Sequence, residues 1–208
     1  MIRVLIVDDS RQSQFFLKTM LAQSPECTIV DTIASAANAE LYCLGNRIDL
    51  ILMDICTADN ASGLAAAEKI KKNYPGVKII MVTSMPEYSF IGQAKCAGCE
   101  GFWYKEYGDT ELLDVVQRVM SGEKCYPEEA PVIPVGLANS KDFSDREYEI
   151  VRMLADGLNR QEIADKLGIS ARTVRFYIEE LKTKTGHEDT MKMVAAFVEQ
   201  KLIINNLQ

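Results

Sequence analysis

The chain has 208 residues, 48% of them apolar, with 23 Lys and Arg against 30 Asp and Glu for a formal net charge of −7. That length suits one large or two modest domains with proper cores, and the acidic balance excludes a globally attractive field for nucleic acid or anionic lipid. No apolar run is long enough to span a bilayer and Met1-Ile2-Arg3 leads straight into a strand, so a cytoplasmic chain without signal peptide or membrane contact is expected.

Val4-Leu5-Ile6-Val7 is a short apolar run that ends in Asp8-Asp9, and Leu50-Ile51-Leu52-Met53 and Ile79-Ile80-Met81-Val82 repeat the form, as strands buried on both faces do. Cys27 to Ile33 and Gly101 to Tyr104 supply two more strands. Apolar residues at three-to-four spacing predict helices between them over about 10–24, 36–46, 61–73, 87–98 and 109–121. Pro75-Gly76 ends the third, and Asp109 is expected to cap the fifth. Five such units over residues 1–121 predict a parallel α/β sheet. Residues 122–142, with Pro127, Pro131 and Pro134, cannot continue a helix and read as a linker.

Residues 143–208 carry four helix signals. Ser144-Asp145-Arg146-Glu147 is a capping box opening a helix that stops at Gly157, and Asn159-Arg160-Gln161-Glu162 opens the next. Gly168-Ile169-Ser170 breaks the chain before a third helix from Ala171 to about Thr185, and two helices joined by a tight glycine turn form a helix-turn-helix. The last helix, from about Glu188 to Leu202, is expected to place Met191, Val194, Ala195, Val198 and Leu202 on one face. The six cysteines are scattered and read as reduced thiols. Cys96-Ala97-Gly98-Cys99 lacks the second pair that a tetrahedral zinc site needs.

Ligand sites in open parallel sheets form beyond the carboxyl ends of the strands. Asp8-Asp9, Asp54, Thr83 and Lys105 each stand just past, or at, such an end. Any one alone reads as a solvated surface group, but together they gather three carboxylates, a hydroxyl and an ammonium at one sheet edge. Clustered carboxylates repel one another and call for a hard divalent cation with oxygen ligands, which suits Mg²⁺. Asp54, ending the middle strand, is the candidate nucleophile of an aspartyl phosphate, with Lys105 and Thr83 against the phosphoryl oxygens.

Over residues 1 to about 121 the chain resembles the receiver domain of bacterial two-component response regulators, on Val7-Asp8-Asp9-Ser10, Met53-Asp54, Val82-Thr83-Ser84 and Gly101-Phe102-Trp103-Tyr104-Lys105. The resemblance implies a flavodoxin-like (βα)5 fold and no enzyme of independent turnover. Asp54 would take a phosphoryl group from a sensor histidine kinase, Asp8, Asp9, Asp54 and the Cys56 carbonyl would hold Mg²⁺, and Thr83 with Phe102 would form the switch pair. The segment after Asp54 departs from the family: Ile55-Cys56-Thr57-Ala58-Asp59-Asn60-Ala61-Ser62-Gly63 has no Met-Pro pair and is about one residue longer.

Residues 143–204 resemble the DNA-binding domain of the NarL/LuxR family, on Ser144-Asp145-Arg146-Glu147, Glu162-Ile163-Ala164, Leu167-Gly168-Ile169-Ser170 and Thr173-Val174-Arg175. A helix-turn-helix lays its second helix in the major groove. Helical spacing turns Arg172, Thr173, Arg175, Phe176 and Lys182 outward, and Arg160 and Lys184 suit phosphates. Glu179-Glu180 departs from the basic or amide residues common there. The whole reads as a DNA-binding transcriptional response regulator acting as a homodimer on double-stranded promoter DNA. The alternatives are an atypical regulator whose output needs no phosphorylation or addresses a protein, and an aspartyl-phosphate phosphatase. The phosphatase is disfavoured because Cys56 stands where such enzymes need a second acid.

Overall fold

The computed structural model describes residues 1–87, 89–106 and 111–203. It divides into two compact units, Met1–Ser84 with Phe90–Glu129, and the chain from Ala130 onward with Met85–Ser89. In chain order the first runs β1 (Ile2–Val7), α1 (Arg11–Leu21), β2 (Cys27–Ile33), α2 (Ala39–Gly45), β3 (Leu50–Met53), β4 (Cys56–Thr57), β5 (Ala61–Ser62), α3 (Gly63–Asn73), β6 (Lys78–Thr83), α4 (Ser89–Cys96), β7 (Gly101–Tyr104) and α5 (Leu112–Met120). Five strands form one parallel sheet in the order β2-β1-β3-β6-β7, the expected α/β architecture.

Residues 4–7 and 50–53 are buried to the last atom, because helices cover both faces of the sheet and neither side of a strand meets water. On one face Val4, Ile6, Leu50, Leu52, Ile80 and Val82 pack with Leu17 and Leu21 of α1 and Val115, Val116 and Val119 of α5. Each such side chain stabilises the fold by about 1.5–3 kcal/mol of transfer free energy. The pairing Val7↔Met53 ends β1 and β3 at one level, so Asp8 and Asp54 leave the sheet side by side.

The helices start later than the spacing predicts where a capping residue intervenes. Ser10 caps α1 through Ser13 N–H, and Ser62 caps α3 through Ala65 N–H. The second predicted helix is divided into a 3-10 turn, Ala36–Asn38, and α2. The cap expected of Asp109 falls outside the described residues. The nine residues after Asp54 form a hairpin, β4 against β5. Its tip is the three-residue connection Ala58–Asn60, in which Asp59 and Asn60 both have positive φ, 63° and 53°, a conformation that short polar side chains tolerate. The Thr57 hydroxyl accepts from Ala36 N–H and donates to the Ala61 carbonyl, fastening the hairpin to the β2–α2 connection. The segment expected to be a plain linker is also partly ordered. The Cys125 carbonyl accepts from Phe102 N–H, Cys125 N–H donates to the Glu100 carbonyl, and the free edge of β7 is thereby covered.

The second unit contains β8 (Pro134–Val135), β9 (Ala138–Asn139), α6 (Asp145–Ala155), α7 (Arg160–Leu167), α8 (Ala171–Thr185) and α9 (Thr190–Glu199). Both predicted capping boxes form, Ser144 with Glu147 and Asn159 with Glu162. Gly168 ends α7 at φ 63°, and Ser170 caps α8 two residues on, which is the helix-turn-helix corner. Val174, Ile178 and Leu181 of α8 join Ile150, Val151, Ile163, Met193 and Phe197 in the core. The residues predicted to share one face of the last helix divide between core and surface. Val194 and Leu202 are buried while Met191 is 67% exposed, because the helix is oriented by Met193 and Phe197, which the sequence reading left out.

Gly63 begins α3 so close to the site that a Cβ there would lie 1.8 Å from the Asp54 carbonyl oxygen, whereas Gly45 has open space. Gly63→Ala is expected to lower stability by about 2 kcal/mol or more, and Gly45→Ala to change it by less than about 1 kcal/mol in the stabilising direction. Thermal unfolding of the two variants beside wild type checks the pair.

Candidate functional site

Backbone bonds carried past the ends of the strands fix the site. Asp54 N–H donates to the Val7 carbonyl at 2.8 Å, Asp8 N–H to Ile33 at 3.0 Å, and Lys105 N–H to Thr83 at 2.9 Å. Asp8 and Thr83 are wholly buried, Asp54 is half-buried and Asp9 exposed. One carboxylate oxygen from each of Asp8, Asp9 and Asp54 lies within 4.8 Å of the others. The Lys105 ammonium donates to Asp8 Oδ2 at 2.6 Å and Asp54 Oδ2 at 2.9 Å. The structure thus brings Asp8, Asp9, Asp54 and Lys105 together, with Thr83 at the end of the adjoining strand.

Three carboxylates face one ammonium, an uncompensated negative charge in a poorly hydrated cleft. Burial pushes the Asp54 carboxyl up to about 6; the Lys105 charge opposes this and the Asp8 charge adds to it. For Lys105 burial works downward, but the charges of Asp54 and Asp8 and its bonds to them outweigh it and hold the ammonium above its ordinary value. Hard oxygen donors at this spacing with surplus negative charge fit a small divalent cation. Cys56 opens β4 two residues after Asp54. Phe102 is buried on β7, its ring 4.9 Å from that of Tyr104.

Two contributors escaped the sequence reading. The Ser13 hydroxyl donates to Asp8 Oδ2, and Gln14 Nε2 donates to the Asp8 carbonyl at 2.5 Å. Their signal was available: with Ser10 as cap, residues three and four further on face back along the first turn. Of the thiols, Cys96 is exposed and Cys99 buried, and burial pushes Cys99 up to about 12.

On α8, Arg172, Arg175 and Phe176 are exposed, as is Arg160 at the start of α7. Thr173 is half-buried, its hydroxyl 2.8 Å from that of Ser170, and Lys182 lies 3.4 Å from Glu179. Lys184 is directed differently from the phosphate-facing role the sequence suggested. It donates to both oxygens of Glu147, at 2.8 and 2.9 Å, and to the Asp142 carbonyl at 3.0 Å. Glu147 is only 4% exposed, so Lys184 is its counter-charge.

Residues 4–117 match the family described as "Response regulator receiver domain", more than half of the chain. The chain is a response regulator. Residues 141–197 match "Bacterial regulatory proteins, luxR family", so a receiver is followed by a LuxR-type DNA-binding domain, and the protein is a DNA-binding regulator of the two-component kind. Among its relatives are response regulator protein VraR of Staphylococcus epidermidis, 27% identical over 97% of this chain and 99% of that one, and VraR of Staphylococcus aureus, 28% identical over the same shares. RcsB of Salmonella enterica serovar Typhimurium, solved bound to a promoter with a phosphomimetic, shares the fold at TM-score 0.59 and 20% identity over 94% of this chain and 98% of that one. No helix among the described residues of this response regulator is long and apolar enough to cross a membrane.

Because Asp54 titrates near 6 when folded against an ordinary value of 3.8, the native state prefers it protonated. Its favourable contribution is complete below the unfolded value and is lost as pH rises through about 6. Asp54→Asn is therefore expected to raise the thermal midpoint at pH 7.5 without divalent cation, with the gain shrinking towards zero by about pH 4. Thermal melts across that range check the sign.

Proposed function

We propose that Asp54 is the phosphoacceptor of this response regulator, supplied by a sensor histidine kinase, and that its phosphorylation favours a homodimer of the chain on paired half-sites in promoter DNA. The observation that carries this is the convergence of Asp8, Asp9 and Asp54 within 4.8 Å, with Lys105 bonded to two of them. No observation favours output independent of phosphorylation.

The three carboxylates, with the Cys56 carbonyl, are the proposed ligands of Mg²⁺, which when bound screens the phosphoryl oxygens from the carboxylates. An Asp54 oxygen attacks phosphorus, the P–N bond of the donor phosphohistidine breaks, and an acyl phosphate results. Lys105 exchanges its bond to Asp54 for one to the phosphoryl group. The Thr83 hydroxyl donates to a second phosphoryl oxygen, Phe102 repacks behind it, and these bonds, absent before transfer, shift the population towards the active arrangement. The β4–β5 hairpin, standing where the family carries Met-Pro, sets the access of water to the acyl phosphate and so its lifetime.

Arg172, Thr173, Arg175 and Phe176 are the proposed base-reading residues of α8, and Arg160 and Lys182 the phosphate contacts. RcsB, which shares the fold, is known bound to a promoter in the presence of a phosphomimetic, which agrees with this reading. Cytoplasmic residence follows from a role at chromosomal DNA.

Acetyl phosphate with Mg²⁺ is expected to add one phosphoryl mass to the wild type and none to Asp54→Asn; intact mass spectrometry showing equal modification of both would overturn the assignment. In DNA titrations at fixed salt, Arg175→Ala is expected to weaken binding to a specific site by about 1–3 kcal/mol. Lys184→Ala should instead lower the melting temperature of the helical unit, because it strands a buried Glu147.

A further inference from the structure

Asp8 is the most deeply buried carboxylate of the site, with no exposed surface. A buried ionised carboxylate is tolerated only when hydrogen bonds replace its water. Its acceptors are unevenly engaged. Oδ1 takes one bond, from Ser10 N–H at 2.9 Å, whereas Oδ2 takes two, from the Lys105 ammonium at 2.6 Å and from the Ser13 hydroxyl. Ser13 is itself fixed, because its N–H donates to the capping Ser10 hydroxyl at 3.4 Å on the first turn of α1. Gln14, the next residue, donates to the Asp8 carbonyl at 2.5 Å. The start of α1 therefore grips both the backbone and the side chain of one carboxylate.

We propose that Ser13 is a positioning residue for the cation site: its hydroxyl pins Asp8 Oδ2 and leaves Oδ1 as the oxygen presented to the divalent ion. A carboxylate oxygen has two acceptor positions. Oδ2 is filled by Ser13 and Lys105 together, and Oδ1 keeps one. Lys105 does not do this alone, because its ammonium is shared between Asp8 and Asp54, whereas the Ser13 hydroxyl donates to Asp8. An O–H donor to a carboxylate is a charge-assisted bond, among the stronger ones a neutral side chain can make. Outer partners of metal ligands act in this way, orienting the ligand without touching the ion, and their loss typically weakens metal affinity by about 10- to 100-fold.

The inference rests on the reading of the acidic cluster as a Mg²⁺ site, and the experiment separates the two. Full-length wild type, Ser13→Ala and Ser13→Thr are titrated with Mg²⁺ alone by calorimetry and by the fluorescence of Trp103, the chain's one tryptophan, two residues from Lys105. Ser13→Ala is expected to bind Mg²⁺ about 10-fold more weakly, and Ser13→Thr, which keeps the hydroxyl, within about twofold of wild type. With acetyl phosphate as donor, the Ser13→Ala phosphorylation rate should fall at limiting Mg²⁺ and return to the wild-type value at saturation. Wild-type affinity in Ser13→Ala overturns the role of Ser13. Equal weakening in Ser13→Ala and Ser13→Thr does so too, since the hydroxyl is then not what matters. Absence of Mg²⁺ uptake by wild type overturns the cation reading itself.

Discussion

The pocket depends on one internal ion pair, the Lys105 ammonium between Asp8 and Asp54. Parallel strands ending at a common level bring carboxylates together whatever their charge, and burial then makes Asp54 harder to ionise. One ammonium offsets part of that cost. It does not offset all of it, which is why Asp54 still sits near 6. The site is therefore held short of electrostatic balance, a deficit that a divalent cation would correct.

Holding such a deficit requires a backbone that does not relax. Asp54 is fixed on one side by its N–H bond to Val7 and on the other by Gly63, whose missing Cβ lets α3 begin against the Asp54 carbonyl. Between these points the chain makes the β4–β5 hairpin, and Thr57 ties it to Ala36. The departure from the family's usual sequence after Asp54 thus takes the form of this hairpin. The chain must leave the sheet at Asp54 and re-enter a helix at Gly63 without moving the carboxylate.

The strands, the parallel sheet and the acidic residues at its edge were legible in the sequence because burial on both faces leaves continuous apolar runs whose ends are unambiguous. The capping boxes at Ser144 and Asn159 were legible because the donors and acceptors are three residues apart. What was not legible depends on contacts between residues far apart in the chain. Cys125 lies against β7 through backbone atoms that no residue type announces, and Thr57 meets Ala36 across two loops. The inward face of α9 is not legible in the sequence because an apolar residue at helical spacing does not say which of two overlapping stripes is inward; Met193 and Phe197 decide it by filling the core beside Phe143 and Tyr148.

Lys184 makes the same point about charge. Counted along the sequence it is one more cation for DNA; in the fold it is consumed by Glu147, a buried acid that also caps α6. Lys182 is shared with Glu179. The cations that remain outward near the recognition helix are chiefly Arg160, Arg172 and Arg175, and the exposed Glu179 and Glu180 beside them subtract from their field. Each phosphate neutralised contributes through counterion release, so on the proposed reading a helical unit with few unpaired cations on this face would hold DNA weakly. Two units on adjacent half-sites double that number, and the affinity of the pair rises steeply with their joint presentation. On the proposed reading, the charge arrangement of the helical unit would make DNA affinity sensitive to whether two copies are held together, which is the quantity the proposed phosphoryl switch would control.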